Sequence, residues 1–230
     1  MSTKSITIFS FFLLLQLNNF SHAQSSFQWG ALPTLNFNKK LKKDWSLNSK
    51  IESRMLFQRG EIGGEPDKNY TYVLTDFSII AAKKVGLNSR IGGGYLIRVQ
   101  EDNIYHRFIQ QFVIIQKLTK FRLAHRFLSD QTFSAIEDPE FRLRYRITSE
   151  VPLNGESVDS GEFYLKINNE YVNSLQSGSY DLEIRVIPFL GYEVNDAIKI
   201  ETGLDYRVNS FFTNNTRHSY WMSLNFFFEL

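Results

Sequence analysis

The last segment of the chain, HSYWMSLNFFFEL at His218–Leu230, follows a two-residue alternation that decides the fold. Every second residue in it is apolar or aromatic: Tyr220, Met222, Leu224, Phe226, Phe228 and Leu230. Because successive side chains of a β-strand point to opposite faces, this segment predicts a strand with one continuous apolar face. A last strand of this kind is typical of a barrel that closes in lipid.

The same alternation recurs in about ten earlier segments, and no segment has a convincing helical pattern. In the segment 141–148, for example, large apolar residues alternate with Arg142, Arg144, Arg146 and Thr148. Most segments reach the roughly 9–11 residues that a tilted membrane strand needs. Strands in lipid cannot leave unpaired edges. The sequence therefore predicts an all-β fold, a closed antiparallel transmembrane β-barrel of about 10–12 strands.

The number of strands and the length of the turns lead to two further expectations. Bacterial single-chain barrels have an even number of strands, so we expect ten or twelve. A count of eleven would mean that the first strand pairs irregularly, or that a strand is merged or missed. With a periplasmic C-terminus, the short turns at 84–86 and 194–196 are periplasmic. The longer stretches 59–69 and 210–217 are then external, as is the start of the first strand.

The N-terminal residues 1–23 have the pattern of a secretory signal peptide. Lys4 precedes an apolar run, Ile6–Leu17, and Ser21-His22-Ala23 resembles a cleavage site. The alternative is an N-terminal membrane anchor, but the run is shorter than the roughly 20 residues of a spanning helix. We therefore predict a signal peptide at 1–23, a single outer-membrane barrel domain at 24–230, and location in the cell outer membrane.

Composition excludes several classes of protein. Lys4 is the only charged residue of 1–23, so of 26 basic and 24 acidic residues the mature chain keeps 25 and 24. This balance argues against a nucleic-acid partner. The absence of cysteine excludes disulfides, thiol chemistry and lipoprotein acylation. Aromatic residues (15%) and charged residues (22%) are both abundant, as expected for strands between lipid and a polar interior.

The polar faces of the predicted strands carry arginines and carboxylates that point inward in a barrel. The predicted lumen charge cluster comprises Glu52, Arg54, Asp76, Arg98, Arg122, Arg126, Asp130, Arg142, Arg144, Arg146, Glu170, Arg185, Glu201 and Arg207. One interpretation is that these groups pair across strands and largely fill a narrow lumen. The other is that the arginines of segments 120–133 and 139–151 form a cationic path or an anion site.

Signals of enzymatic chemistry are weak. The sequence contains no Gly-x-Ser-x-Gly elbow, P-loop or metal-spaced histidine pair. His125 and Ser129 share the outward face of one strand, as in some outer-membrane lipases. They are about 13 Å apart along the strand, beyond hydrogen-bonding reach. We predict no catalytic residues, no metal site and no cofactor.

Aromatic residues near the predicted strand ends suggest girdles at the two membrane interfaces. They are Trp29, Trp45, Tyr70, Tyr72, Tyr145, Tyr180, Tyr206, Tyr220 and Trp221. A platform that stacks on carbohydrate is the alternative interpretation.

Several runs resemble the family known as domain of unknown function 2490. They are YVLTDFSI (72–79), GGGYLIR (92–98), HRFIQQF (106–112), AHRFLSDQTF (124–133) and EFRLRYR (140–146), with Trp29, Trp45 and Arg54 at the start. The resemblance covers the mature chain. It implies an outer-membrane β-barrel of a Gram-negative bacterium. Because no activity is established for the family, the resemblance bears on fold and location only.

Three hypotheses for function follow. The first is an outer-membrane barrel with a structural or passive-transport role and a charged, largely filled lumen. The alternatives are a lipid-modifying outer-membrane enzyme and a soluble periplasmic, lipocalin-like binding barrel. The expected partners are outer-membrane lipid and, through the strand Tyr220–Leu230, the barrel assembly machinery. The oligomeric state is left open.

Overall fold

Eleven β-strands make up the fold in the computed structural model, which describes residues 25–212 and 215–230. The strands are β1 (Ser26–Lys40), β2 (Trp45–Glu61), β3 (Asp67–Lys84), β4 (Ser89–Gln100), β5 (Asn103–Lys117), β6 (Arg122–Ser134), β7 (Glu140–Pro152), β8 (Phe163–Gln176), β9 (Ser179–Asn195), β10 (Ile198–Asn209) and β11 (Arg217–Glu229). The predicted signal peptide lies outside the described residues. Within them, no helix is long and apolar enough to cross a bilayer.

The strands pair in chain order, and β11 pairs with β1 to close the barrel. Neighbours in sequence are antiparallel throughout, from β1–β2 to β10–β11. The closing pair is parallel and continuous, from Ser26 opposite Arg217 to Asn38 opposite Glu229. The predicted all-β closed barrel is confirmed.

Two details of the prediction are corrected by this topology. The expected even number of strands is wrong, because the barrel has eleven. A wholly antiparallel barrel is also wrong for one pair, β1–β11. The reason is parity: when successive strands alternate in direction, an odd count makes the first and last strands parallel. The first strand thus pairs irregularly, which was one of the two possibilities, and both edges are still satisfied.

The connections lie at two ends of the barrel, but their length does not separate the ends as expected, because the ten-residue connection 153–162 lies with the short turns. The turn at 85–88, the turn at 196–197 and the C-terminus lie at one end. The stretches 62–66, 210–212 and 215–216 lie at the other end, together with the start of β1. A two-residue hairpin joins β8 and β9 through Ser177 and Gly178, whose φ angles are 51° and 77°. Positive φ at both positions matches the twist of the flanking strands.

Alternation along each strand divides the residues between the wall's two faces. In β11, Met222 and Leu224 are exposed outside, whereas Ser223 and Asn225 are buried inside, as the sequence predicted. Apolar clusters inside are small: Leu32, Leu56 and Trp221 form one, and Leu96, Ile109 and Leu128 form another. The rest of the interior is mainly polar, and this interior forms the candidate site.

Gly94 allows a close approach between β3 and β4. A Cβ atom at Gly94 would lie 2.4 Å from the carbonyl oxygen of Ile79 and 2.6 Å from the Cγ1 atom of Ile80. Gly92, where a Cβ atom would lie 2.9 Å from the carbonyl oxygen of Ala81, and Gly94 therefore mark a tight contact of two backbones.

Candidate functional site: the charged lumen

The inward faces of the strands enclose a cavity of about 790 Å³ with a mostly charged lining. Twelve of the fourteen predicted cluster residues line it: Glu52, Arg54, Asp76, Arg98, Arg122, Arg126, Arg142, Arg144, Arg146, Arg185, Glu201 and Arg207. The other two, Asp130 and Glu170, are fully buried in the wall behind their arginine partners. The barrel thus brings residues from distant segments to one surface.

Glu170 on β8 is the centre of the largest ion-pair cluster. Its Oε1 atom accepts hydrogen bonds from Arg126 at 3.2 Å and Arg144 at 2.9 Å. Its Oε2 atom accepts from Arg146 at 2.9 Å and Arg185 at 3.2 Å. Four arginines from β6, β7 and β9 therefore converge on one carboxylate. Such saturation offsets the cost of removing the carboxylate from water.

Asp130 on β6 forms a second centre. Its Oδ1 atom accepts a hydrogen bond from the Nε atom of Arg142 at 2.7 Å. Arg107 lies 3.5 Å from the same oxygen, and Arg144 lies 3.6 Å from Oδ2. Arg144 contacts both Asp130 and Glu170, so the two centres form one continuous network.

The opposite wall carries smaller, more balanced pairs. Arg98 donates two hydrogen bonds to Asp76, at 2.8 and 2.9 Å. Glu52 accepts from Lys50 at 3.0 Å and from Arg54 at 2.9 Å. This wall therefore holds its own counter-charges and offers few free donors.

A similar local balance holds on β10. Arg207 donates to Asp205 through two bonds of 2.8 and 2.6 Å. Glu201 accepts from the hydroxyl of Tyr164 at 2.8 Å and from the ammonium group of Lys166. Asp205 and Arg207 are two residues apart on β10, whereas Tyr164 and Lys166 are on β8, so the contacts of Glu201 link two strands that are not neighbours.

The register aligns one polar row across five adjacent strands. Arg126 lies opposite Arg146, Arg146 opposite Glu170, Glu170 opposite Arg185, and Arg185 opposite Arg207. We call these five residues the arginine row. It contains four cations and one anion, and like charges meet directly at both of its ends. Such pairs are destabilising unless another group compensates for them.

The predicted cluster leaves out several residues of this network, among them Arg107, Tyr164 and Lys166. The phase of β5 is ambiguous in the sequence because both of its faces carry apolar residues, and this concealed Arg107. In the structure Arg107 is buried and its Nε atom donates to Thr132 at 2.8 Å. Tyr164 and Lys166 alternate with Phe163, Leu165 and Ile167, and that alternation was the available signal.

On the outer wall, His125 and Ser129 each bond to a different neighbour. The Nδ1 atom of His125 is 2.9 Å from the hydroxyl of Tyr145. The hydroxyl of Ser129 donates to Gln110 at 2.7 Å. Neither contact joins a serine to a histidine, so the geometry does not assemble the nucleophile and base of a lipase.

Trp221 corrects the predicted aromatic girdle. It is buried inside the barrel against Leu32 and Leu56, with the guanidinium carbon of Arg54 5.9 Å from the ring centroid. The two-residue period places Trp221 on the face opposite Tyr220 and Met222. It therefore belongs to the lumen wall and not to the outer belt. Trp45 and Tyr72, by contrast, are exposed.

The charged side chains at this site can bind ions of opposite charge. The described part of the chain holds no group of three or more histidine, cysteine or acidic residues suited to a metal ion. Guanidinium groups offer planar, permanently charged donors to oxyanions. The ion pairs also tie neighbouring strands together, so the same groups can serve stability and solute contact.

Fold and site together define the class of this protein: a closed eleven-stranded β-barrel with an ion-paired lumen. A family model described as "Protein of unknown function (DUF2490)" matches residues 29–219, which is most of the chain. The chain belongs to this family, as the resemblance indicated. The comparisons with curated proteins and with solved structures each found no match.

Proposed function

We propose that this protein is an outer-membrane β-barrel of a Gram-negative bacterium, with a structural or passive-transport role. The observation that carries the proposal is the distribution of polarity. Large apolar side chains are exposed all around the described barrel, whereas polar and charged residues outnumber apolar ones among the buried residues. Soluble proteins have the reverse pattern in their cores. A barrel with lipid outside and water inside requires apolar residues on its outer face and polar residues on its inner face.

Strand length and closure support the same proposal. The shortest strands, β4 and β10, have 12 residues, and the longest, β3, has 18. All exceed the roughly 9–11 residues that cross the hydrocarbon core at a tilt. Closure pairs both edges of the sheet, so no row of backbone groups is left unpaired in lipid.

The lumen supports a passive role. A cavity of about 790 Å³ has room for water and small solutes but is crossed by many charged side chains. The ion pairs hold these side chains against the wall and narrow the passage. Passage of small solutes, or structural support of the membrane, fits this arrangement.

A pair of lysine substitutions tests the membrane location. Met222 lies midway along β11 and is 55% exposed on the outer face, and Leu87 is 90% exposed in the turn between β3 and β4. In lipid, Met222→Lys costs roughly 2–4 kcal/mol near the midplane. It should therefore reduce the folded, heat-modifiable form in the outer-membrane fraction. Leu87→Lys should behave as wild type.

A soluble barrel would give a different result. The wild-type chain would then appear in the soluble periplasm, and Met222→Lys would fold as well as Leu87→Lys because both positions would face water. That outcome would contradict the proposal and favour a soluble binding barrel.

A further inference from the structure

We infer that the lumen binds a small divalent oxyanion, of the phosphate or sulfate class, at the arginine row. The inference rests on the proposed function because a solute reaches the row through a water-filled lumen. It names the class of solute that this barrel would hold or pass. Four observations carry it: register, depth, charge and donor geometry.

The register concentrates positive charge where pairing alone does not require it. Arg126 faces Arg146 across β6–β7, and Arg185 faces Arg207 across β9–β10. Each arrangement sets two cations side by side in neighbouring strands, which costs stability. On the other side of the barrel two like charges also meet, Glu52 and Asp76, but each is neutralised by an arginine of its own, Arg54 and Arg98.

The arginines of the row lie closer to the lumen than the carboxylate of Glu170 does. The side chain of Glu170 is 0% exposed, whereas those of Arg126 and Arg146 are 27% and 24% exposed. The four arginines of the row line the cavity, but Glu170 does not. A solute in the lumen therefore meets guanidinium groups before it meets the carboxylate.

The network around Asp130 and Glu170 has a surplus of positive charge. Six arginines contact these two carboxylates: Arg107, Arg126, Arg142, Arg144, Arg146 and Arg185. Two further carboxylates, Glu140 and Glu183, pair with members of that set. Six cations against four anions leave two positive charges, which a divalent oxyanion would balance.

Donor geometry suits an oxyanion better than chloride. Each guanidinium group has five N–H donors in a planar fork that matches two oxygens of a phosphate or carboxylate. The Nε–H groups of Arg126, Arg144 and Arg146 are buried and have no hydrogen-bond partner. Glu170 therefore does not satisfy all the donors of the converging arginines, and a buried donor without a partner costs free energy.

The test measures phosphate binding to the full chain folded in detergent, by titration calorimetry at low ionic strength. Wild type should bind inorganic phosphate saturably, and sulfate should compete while chloride at the same concentration should not. Arg146→Gln and Arg126→Gln should each weaken binding at least about tenfold, since each removes a charged hydrogen-bond donor.

Arg122→Gln is the matched control. Arg122 is on the same strand as Arg126 and lines the same lumen, but its partner is Glu150 and it lies outside the arginine row. Its removal subtracts one positive charge and should change phosphate affinity less than about twofold. Arg146→Lys keeps the charge without the planar fork and should bind with intermediate affinity.

Two outcomes would overturn the inference: wild type that binds no phosphate, or Arg122→Gln that weakens binding as much as Arg146→Gln does. Heat-modifiable migration shows that each variant is folded before it is measured. Conductance in planar bilayers separates this inference from the proposed function. A barrel that binds phosphate but is silent would contradict passive transport only, and a conducting barrel without phosphate binding would contradict the oxyanion site only.

Discussion

Arg126 on β6 and Arg146 on β7 lie directly opposite each other, and both donate to the same buried carboxylate, Glu170. The distances are 3.2 Å from Arg126 and 2.9 Å from Arg146. Two like charges that would repel across a strand pair are held together by one anion from the next strand. Glu170 thus compensates for the repulsion between these two arginines.

Glu170→Gln should destabilise the barrel by about 3 kcal/mol, because it leaves four arginines without their shared counter-ion. The measurement is urea unfolding of the protein in lipid vesicles. Glu150→Gln is the control: Glu150 pairs with Arg122, whose side chain is 46% exposed, so its loss should cost less than about 1 kcal/mol. Equal losses for the two variants would show that Glu170 has no special role.

Gly94→Ala should impair folding, because its new Cβ would lie 2.4 Å from the backbone oxygen of Ile79. We expect a loss of about 1–3 kcal/mol, as for other overpacked sites. The neighbouring Gly93→Ala is the control, since its nearest contact would be an ordinary 3.7 Å to Ile109. The fraction of heat-modifiable protein after refolding measures both. A Gly93 variant that folds worse than the Gly94 variant would contradict the close approach of β3 and β4.

Deletion of Phe226–Leu230 should abolish membrane insertion. The deletion removes the partners of Leu35–Asn38 on β1 and of Ile198–Ile200 on β10, so the barrel cannot close at that end. Removal of Leu230 alone, which lies beyond β11, should leave the outer-membrane fraction almost unchanged. Immunodetection in membrane fractions makes the comparison. If the variant that lacks Phe226–Leu230 still inserts into the membrane, closure of the barrel does not depend on this end of β11.

Trp221 should be protected from lipid. In a variant in which Trp29 and Trp45 are replaced by phenylalanine, brominated lipids should quench Trp221 fluorescence weakly, because the ring is buried in the lumen wall. A variant that keeps only Trp45, which is exposed outside, should be quenched several-fold more. Strong quenching of Trp221 would mean that the faces of β11 are reversed.

Much of the fold could be predicted because a strand's two-residue period is local. The alternation in β11 and in β7 identifies inward and outward residues before any pairing is known. Most of the lumen charges follow from the same pattern. Arg107 does not, because β5 is apolar on both faces and only its neighbours determine which face points inward. Trp221 obeyed the period, but its place near a strand end suggested a girdle.

The sequence by itself determined that the chain forms long alternating strands with an apolar face and a charged face. The tertiary structure decided how the strands close, because the parallel pairing of β1 with β11 depends on the parity of the whole count. It also decided that Glu170 gathers four arginines from three other strands. Register between strands is a non-local property, and charge pairing depends on register, so no single segment contains that information.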